Sequence, residues 1–328
     1  VEMTARSLSA ALAPGNTCVI KTPELTPLSN YIFAHAAEAV GLPKGAVNIL
    51  CGWGHQAGAA LSGHGDVNQI VFTGSVPTGV AIATAAAQNV VPCVLELGGK
   101  SAAIVHDDAD LEAFENDIRW GIYFNAGQVC SAMSRVIVHE SRHDELVERA
   151  VKVAKSLSVG PGMERTEAGA NMGAMVSDGQ RDRAAGMVSD AEADGATVAT
   201  GGRKMNIPGA FLEPTVLANV TPDMTIAQEE VFGPVLSVLK FRDDAEAMEI
   251  ANGTQYGLVG GVFTADLDRA TRAARQMRAG QVFVNQWFAG GVETPFGGYG
   301  KSGYGREKGR EALWNYVQTK NVAIKLKG

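Results

Sequence analysis

Metal and disulfide frameworks are the first things this sequence lacks. It has only four cysteines, Cys18, Cys51, Cys93 and Cys130, scattered along the chain with no CxxC pair, and six histidines. Such spacing supports neither a zinc site nor a disulfide scaffold, so no metal is expected and a reduced, cytoplasmic setting is the default. Positive charge is also short: 28 Lys+Arg stand against 35 Asp+Glu, a net charge of −7, with no basic stripe. That balance excludes nucleic acid and anionic membrane surfaces as partners. The long uncharged run 67–95 contains Asn68, Gln69, Pro77, Gln88, Asn89 and Pro92, which marks a buried α/β stretch instead of a membrane span. No basic segment followed by an apolar one opens the chain, and a start at Val1 leads us to expect a sequence cut from a longer protein. There is no internal repeat and no low-complexity linker.

Glycine, by contrast, is plentiful: 39 of 328 residues, about 12% against an average of about 7%. The glycines cluster at turns without a G-X-Y period, as in an α/β enzyme whose backbone approaches a ligand closely. At about 150 residues per domain the length suits roughly two domains.

Runs of β-branched residues alternate with helical periods. Strands are predicted at 17–21, 47–50, 68–72 and 91–95. A helix is predicted with Thr26 as N-cap, Pro27 at its first position and Gly41 as its stop, and another, opened by Ser75, ends near Gln88. This alternation implies right-handed crossovers and a mostly parallel sheet, so residues 1–98 read as part of a doubly wound, Rossmann-like nucleotide-binding domain. A second α/β unit covers 99–312, with strands at 135–139, 236–241, 258–263 and 281–285. Ser141 with Asp144, and Asp243 with Glu246, have capping-box spacing. Residues 317–325 read as a strand with no partner in sequence order, one that another subunit could complete.

Two side chains stand out chemically. A lone cysteine is more often inert core, but Cys130 follows Asn125, Gly127 and Gln128, poor core filler and good material for a hydrogen-bonded turn that exposes a sulfur. Glu96 ends the apolar strand 91–95, where a desolvated carboxylate faces the ligand crevice of a parallel sheet and gains general-base character; a plain surface Glu is the alternative. Ser75 at a helix N-terminus suits a pyrophosphate or a simple cap. Lys21 and Glu24, after the first strand, suit a ribose.

Together these stretches resemble the aldehyde dehydrogenase superfamily over essentially the whole chain. The matching runs are Ile20 to Pro27, Phe72-Thr73-Gly74-Ser75, Leu95 to Lys100, Asn125 to Cys130, Glu229 to Val235, and Pro295 to Tyr299 leading into Lys301-Ser302-Gly303. The resemblance implies Cys130 as the nucleophile that forms a thiohemiacetal and then a thioester, and Glu96 as the general base of a hydrolytic branch. It implies NAD, with NADP possible, held by Lys21, Glu24, Gly54, Thr73, Gly74, Ser75, Leu97, Glu230 and Phe232. It implies a half cofactor domain over 1–98, a catalytic domain over 99–312 and an oligomerisation strand over 313–328, hence a homodimer or homotetramer. Met3, Arg6, Phe124, Trp287, Phe288 and Phe296 match positions that line the aldehyde tunnel. Arg6 is expected either to meet a carboxylate or hydroxyl of the substrate or to pair with Glu2 or solvent, and an apolar or aromatic aldehyde is favoured. The family's Asn-aromatic-Pro, whose Asn adds a donor to the oxyanion hole, would directly precede Val1 and is absent, so the predicted activity is that of a longer parent. The competing expectations are a thiol esterase built on the same pair and a silent nucleotide-binding protein.

Overall fold

Apolar runs of four to seven residues are long enough to form short, fully buried strands, and in the computed structural model they do so in a second unit far more completely than in a first. The structure describes residues 1–162 and 171–326. The chain divides into one unit of Val1–Glu96, Gly290–Gly297 and Tyr304–Gly328, and another of Leu97–Ala289 and Gly298–Gly303. It is an α/β fold with parallel sheets.

In the first unit, Cys18–Lys21 pairs in parallel with Val47–Leu50, and Ile70–Thr73 pairs in parallel with Cys93–Glu96. The two pairings lie in separate sheets, not in one continuous ladder. Ser75 caps the helix Val76–Ala87, its hydroxyl accepting the Thr78 N–H. The helix expected from Pro27 begins later. Proline brings no N–H of its own, and a tighter turn at Leu28–Asn30, closed by Asn30 N–H to the Pro27 carbonyl, precedes the α-helix Tyr31–Ala39. Gly41, at φ +72°, stops it. Residues 317–326 pair with no strand among the described residues.

In the second unit a seven-stranded sheet has the order Gln281–Val284, Val259–Phe263, Ala102–Val105, Arg135–His139, Val235–Phe241, Thr215–Ala218, Thr197–Thr200. All neighbours are parallel except the last pair. All four residues of Ala102–Val105 and all five of Val259–Phe263 are buried, as strands covered on both faces must be. Asp110 and Asp243 cap the helices Leu111–Tyr123 and Asp244–Asn252, each accepting two backbone N–H groups. Glu246 reaches back to the Arg242 N–H, one residue beyond the Asp243 N–H of the expected box. Ser141 caps nothing: it turns to the His139 ring, and the helix runs His143–Lys155 with Arg142 at its N-cap.

Candidate active site

The helix Leu111–Tyr123 delivers the chain to Cys130 through an unusual turn. Asn125 (φ 51°), Ala126 (φ 53°) and Gly127 (φ +70°) are successively left-handed, a conformation that costs non-glycine residues about 1–2 kcal/mol each. Side chains fasten it: the Asn125 amide donates to the Gln128 carbonyl at 3.0 Å, and the Gln128 amide donates back to the Asn125 carbonyl at 3.1 Å. Gln128 Oε1 accepts the Val176 N–H at 2.8 Å. Cys130 and Ser131 then form the centre of a tight turn closed by Ala132 N–H to the Val129 carbonyl at 3.0 Å. Gly127 permits this path, since a Cβ there would lie 2.1 Å from the Gly233 carbonyl oxygen. Gly127→Ala is therefore expected to destabilise the protein by about 2–5 kcal/mol, from overpacking and positive φ together. A urea midpoint equal to that of the wild type would refute this.

The run Leu97 to Lys100 passes close by, and its glycines leave room for particular neighbours. A Cβ on Gly99 would stand 2.7 Å from the Cys130 carbonyl oxygen, and one on Gly98 would stand 2.2 Å from Glu230 Oε2. Glu230 instead accepts the Gly99 N–H at 3.2 Å. Burial pushes the Glu230 carboxyl up, opposed by that hydrogen bond and by Lys100. Lys100 is itself fully buried, with no hydrogen-bond partner for its Nζ among the described residues. Burial, aided by the Arg135 charge, lowers its pKa to about 7. Two groups to which the sequence reading assigned no role hold this run. Ser302 Oγ donates to the Gly98 carbonyl at 2.8 Å and accepts the Gly257 N–H at 3.0 Å. Buried Arg135 donates to the carbonyls of Lys100, Ile250 and Ala251 at 3.0, 2.9 and 2.9 Å. A lone Arg opening an apolar strand was the only signal for the latter. Phe232, at φ 52°, is 36% exposed.

In the first unit, Glu96 is the last residue of Cys93–Glu96 and only 2% exposed. Neither carboxyl oxygen has a hydrogen-bond partner among the described residues. Burial, reinforced by the Glu307 carboxylate and opposed by Arg6 and Arg306, raises its pKa to about 8. A Cβ on Gly297 would approach Glu96 Oε1 to 2.9 Å, so glycine is required beside it. Arg6 is engaged internally: its guanidinium pairs with Glu307, which also accepts the Ser7 hydroxyl, and it lies 4.6 Å from the Phe296 ring centre. Glu2, the partner weighed from sequence, is 3.9 Å away and secondary.

The cofactor candidates of this unit gather at strand ends. Lys21 Nζ lies 2.9 Å from Glu24 Oε1, and the same oxygen accepts the Gly54 N–H. The Lys21 hydrogen bond, foremost, lowers the Glu24 pKa. Thr73 ends its strand, Gly74 donates its N–H to the Glu96 carbonyl at 3.0 Å, and a Cβ on Gly74 would strike the Phe72 ring.

The aromatic tunnel candidates divide. Phe124 is 52% exposed and packs with Trp120 and Phe288. Met3 is exposed, and Phe296 is buried beneath Arg6. Trp287, expected in the tunnel wall, is only 7% exposed, with its indole N–H donated to the Ser131 carbonyl at 3.2 Å. It packs behind the Val129–Ala132 turn. Among the described residues no group of three or more His, Cys, Asp or Glu could hold a metal ion, and no helix is long and apolar enough to cross a membrane.

An α/β fold built on parallel sheets, as here, is the architecture of many nucleotide-dependent oxidoreductases. The chain belongs to the aldehyde dehydrogenase family, whose sequence profile matches residues 1–322. It is 44% identical over 320 residues to an aldehyde dehydrogenase of Alternaria alternata, covering 97% of this chain and 64% of that protein. It is also 44% identical to a mitochondrial aldehyde dehydrogenase of Leishmania tarentolae, covering 98% and 64%. Among solved structures, betaine aldehyde dehydrogenase of Staphylococcus aureus in complex with NAD+ matches with a TM-score of 0.93 and 40% identity, covering 97% of this chain and 65% of that one. An indole-3-acetaldehyde dehydrogenase complexed with NAD+ matches at 0.95 and 39%, covering 99% and 66%. The chain thus spans about 64% of the length of these curated relatives.

Proposed function

We propose that this protein oxidises an aldehyde to a carboxylic acid with NAD. The observation that carries the reading is Glu96, a carboxyl buried at a strand end with both oxygens unpartnered among the described residues, as a group reserved for a reacting proton would be. The Cys130 thiolate attacks the carbonyl carbon, forming a C–S bond and an oxyanion that the Cys130 backbone N–H stabilises. Bound NAD supplies the acceptor for the hydride lost from that carbon. Cys130 then carries the acyl group as a thioester. Glu96 takes a proton from water, whose oxygen bonds to the acyl carbon as the C–S bond breaks, releasing the acid and the thiol.

The residues fit such a cofactor. Glu24, fixed by Lys21 and the Gly54 N–H, suits ribose hydroxyls, the capped helix start at Ser75 suits a pyrophosphate, and Glu230 over Gly98 suits the second ribose. Glu24 also favours NAD over NADP, because its carboxylate repels a 2′-phosphate. Glu24→Gln is expected to narrow the ratio of NADPH to NADH dissociation constants about tenfold, as read by fluorescence titration. A wild-type preference for NADPH would sink this argument. The exposed tail residues Val322, Ile324 and Leu326 support assembly into a homodimer or homotetramer, and the relatives leave both cytosolic and mitochondrial settings open. Exposed Phe124 and Phe288 support an apolar or aromatic aldehyde.

The deciding experiment is aldehyde-dependent absorbance at 340 nm. NAD-independent ester cleavage alone would favour a thiol esterase, and NAD binding without NADH formation would favour a silent binding protein.

A further inference from the structure

Trp287 is held from three sides, one of them the turn that carries Cys130. Its backbone N–H donates to Asp117 Oδ1 at 2.7 Å, from the helix that leads to the turn. Its ring fills a slot that two glycines keep open: a Cβ on Gly261 would lie 2.8 Å from the indole, and one on Gly121 would lie 3.3 Å from it. Its indole N–H donates to the carbonyl of Ser131, the residue after Cys130. The loop that carries Trp287 is stiff. Asn285 and Phe288 sit at φ 53° and 57°, and the Asn285 side chain exchanges two hydrogen bonds of 2.9 Å with the Thr264 backbone.

We propose that Trp287 is a positioning residue for Cys130: with Asp117 it forms a strut that fixes the Val129–Ala132 turn, and so the direction in which the thiol is presented. The strut ties together a helix, a sheet-edge loop and the turn, so tertiary packing sets the thiol direction. A buried indole N–H on a carbonyl is a directional tether, since the donor has no alternative partner once water is excluded. The claim that this orientation matters in catalysis rests on the reading of Cys130 as the nucleophile.

The test compares Trp287→Phe, Asp117→Leu and Asp117→Asn by hydrogen exchange and by hydrolysis of p-nitrophenyl acetate. Phenylalanine keeps the ring and removes the tether. Asparagine keeps an acceptor oxygen for the Trp287 N–H. In Trp287→Phe and Asp117→Leu, exchange of the Ala132 amide is expected to quicken about fivefold, while amides of Arg135–His139 stay at wild-type rates. Ester kcat is expected to fall about tenfold with KM within about twofold. Asp117→Asn is expected to behave as wild type in both. Unchanged Ala132 exchange in Trp287→Phe overturns the strut, whatever the activity. If Cys130→Ala hydrolyses the ester as fast as wild type, the reading of Cys130 fails, and exchange alone then decides the strut.

Discussion

Cys130→Ala removes NADH formation by a factor of about 10⁴ or more, the scale on which loss of a covalent nucleophile acts, while NAD affinity stays within twofold of wild type. The reason is a division of labour within the second unit. The thiol sits on the Val129–Ala132 turn, whereas the carboxylate assigned to the cofactor, Glu230, is held by the Gly99 N–H, so deleting one sulfur leaves that bond in place. The other cysteines offer no substitute. Burial raises the thiol pKa of Cys18 and Cys93, and Cys51, though its hydrogen bonds with Tyr31 and Thr22 lower its pKa, follows the strand Val47–Leu50 of the first unit and not the glycine turn of the second. Stopped-flow absorbance at 340 nm with isothermal titration of NAD checks both halves. A Cys130→Ala protein that still gives a burst of NADH would end the nucleophile assignment.

Glu96→Gln is expected to slow turnover by about 10²–10⁴, the usual contribution of a positioned base, and to remove a rise of rate with pH centred near 8 in the wild type. Stability moves the opposite way. The folded-state pKa of Glu96 lies above its ordinary 4.5, so the protonated carboxyl contributes fully below pH 4.5, and that contribution is lost as pH climbs toward 8. The loss runs at about 1.4 kcal/mol per pH unit through this window. Glutamine has no such proton to lose. Glu96→Gln therefore matches wild type in urea denaturation near pH 4 and exceeds it at pH 9. Parallel stability curves for the two proteins across that range would show that the carboxyl is not buried in its neutral form.

Much of this was legible from local pattern. The strands at 135–139 and 47–50 follow from β-branched runs with turn residues at both ends, and Asp243 announces the helix behind it. The turn before Cys130 was readable because Asn125, Gly127 and Gln128 are residues whose side chains or freedom serve turns, and all three are used. The misplaced start of the helix at Tyr31 and the unused Ser141 are failures of the same local logic. Pro27 permits a tighter turn first, and the His139 ring, supplied by the preceding strand, outbids the helix N-terminus for Ser141.

The sequence by itself determined which groups could react, a thiol after a glycine turn and a carboxylate after an apolar strand, because residue type and neighbouring spacing are covalent facts. Tertiary structure alone decided their condition. Arg6 is bound to Glu307, 301 positions along the chain, and Trp287 to Ser131, 156 positions away. No periodicity reports such contacts. The protonation of Glu96 likewise depends on how much water the folded chain removes from it and on the charge of Glu307, neither of which exists until distant segments have packed.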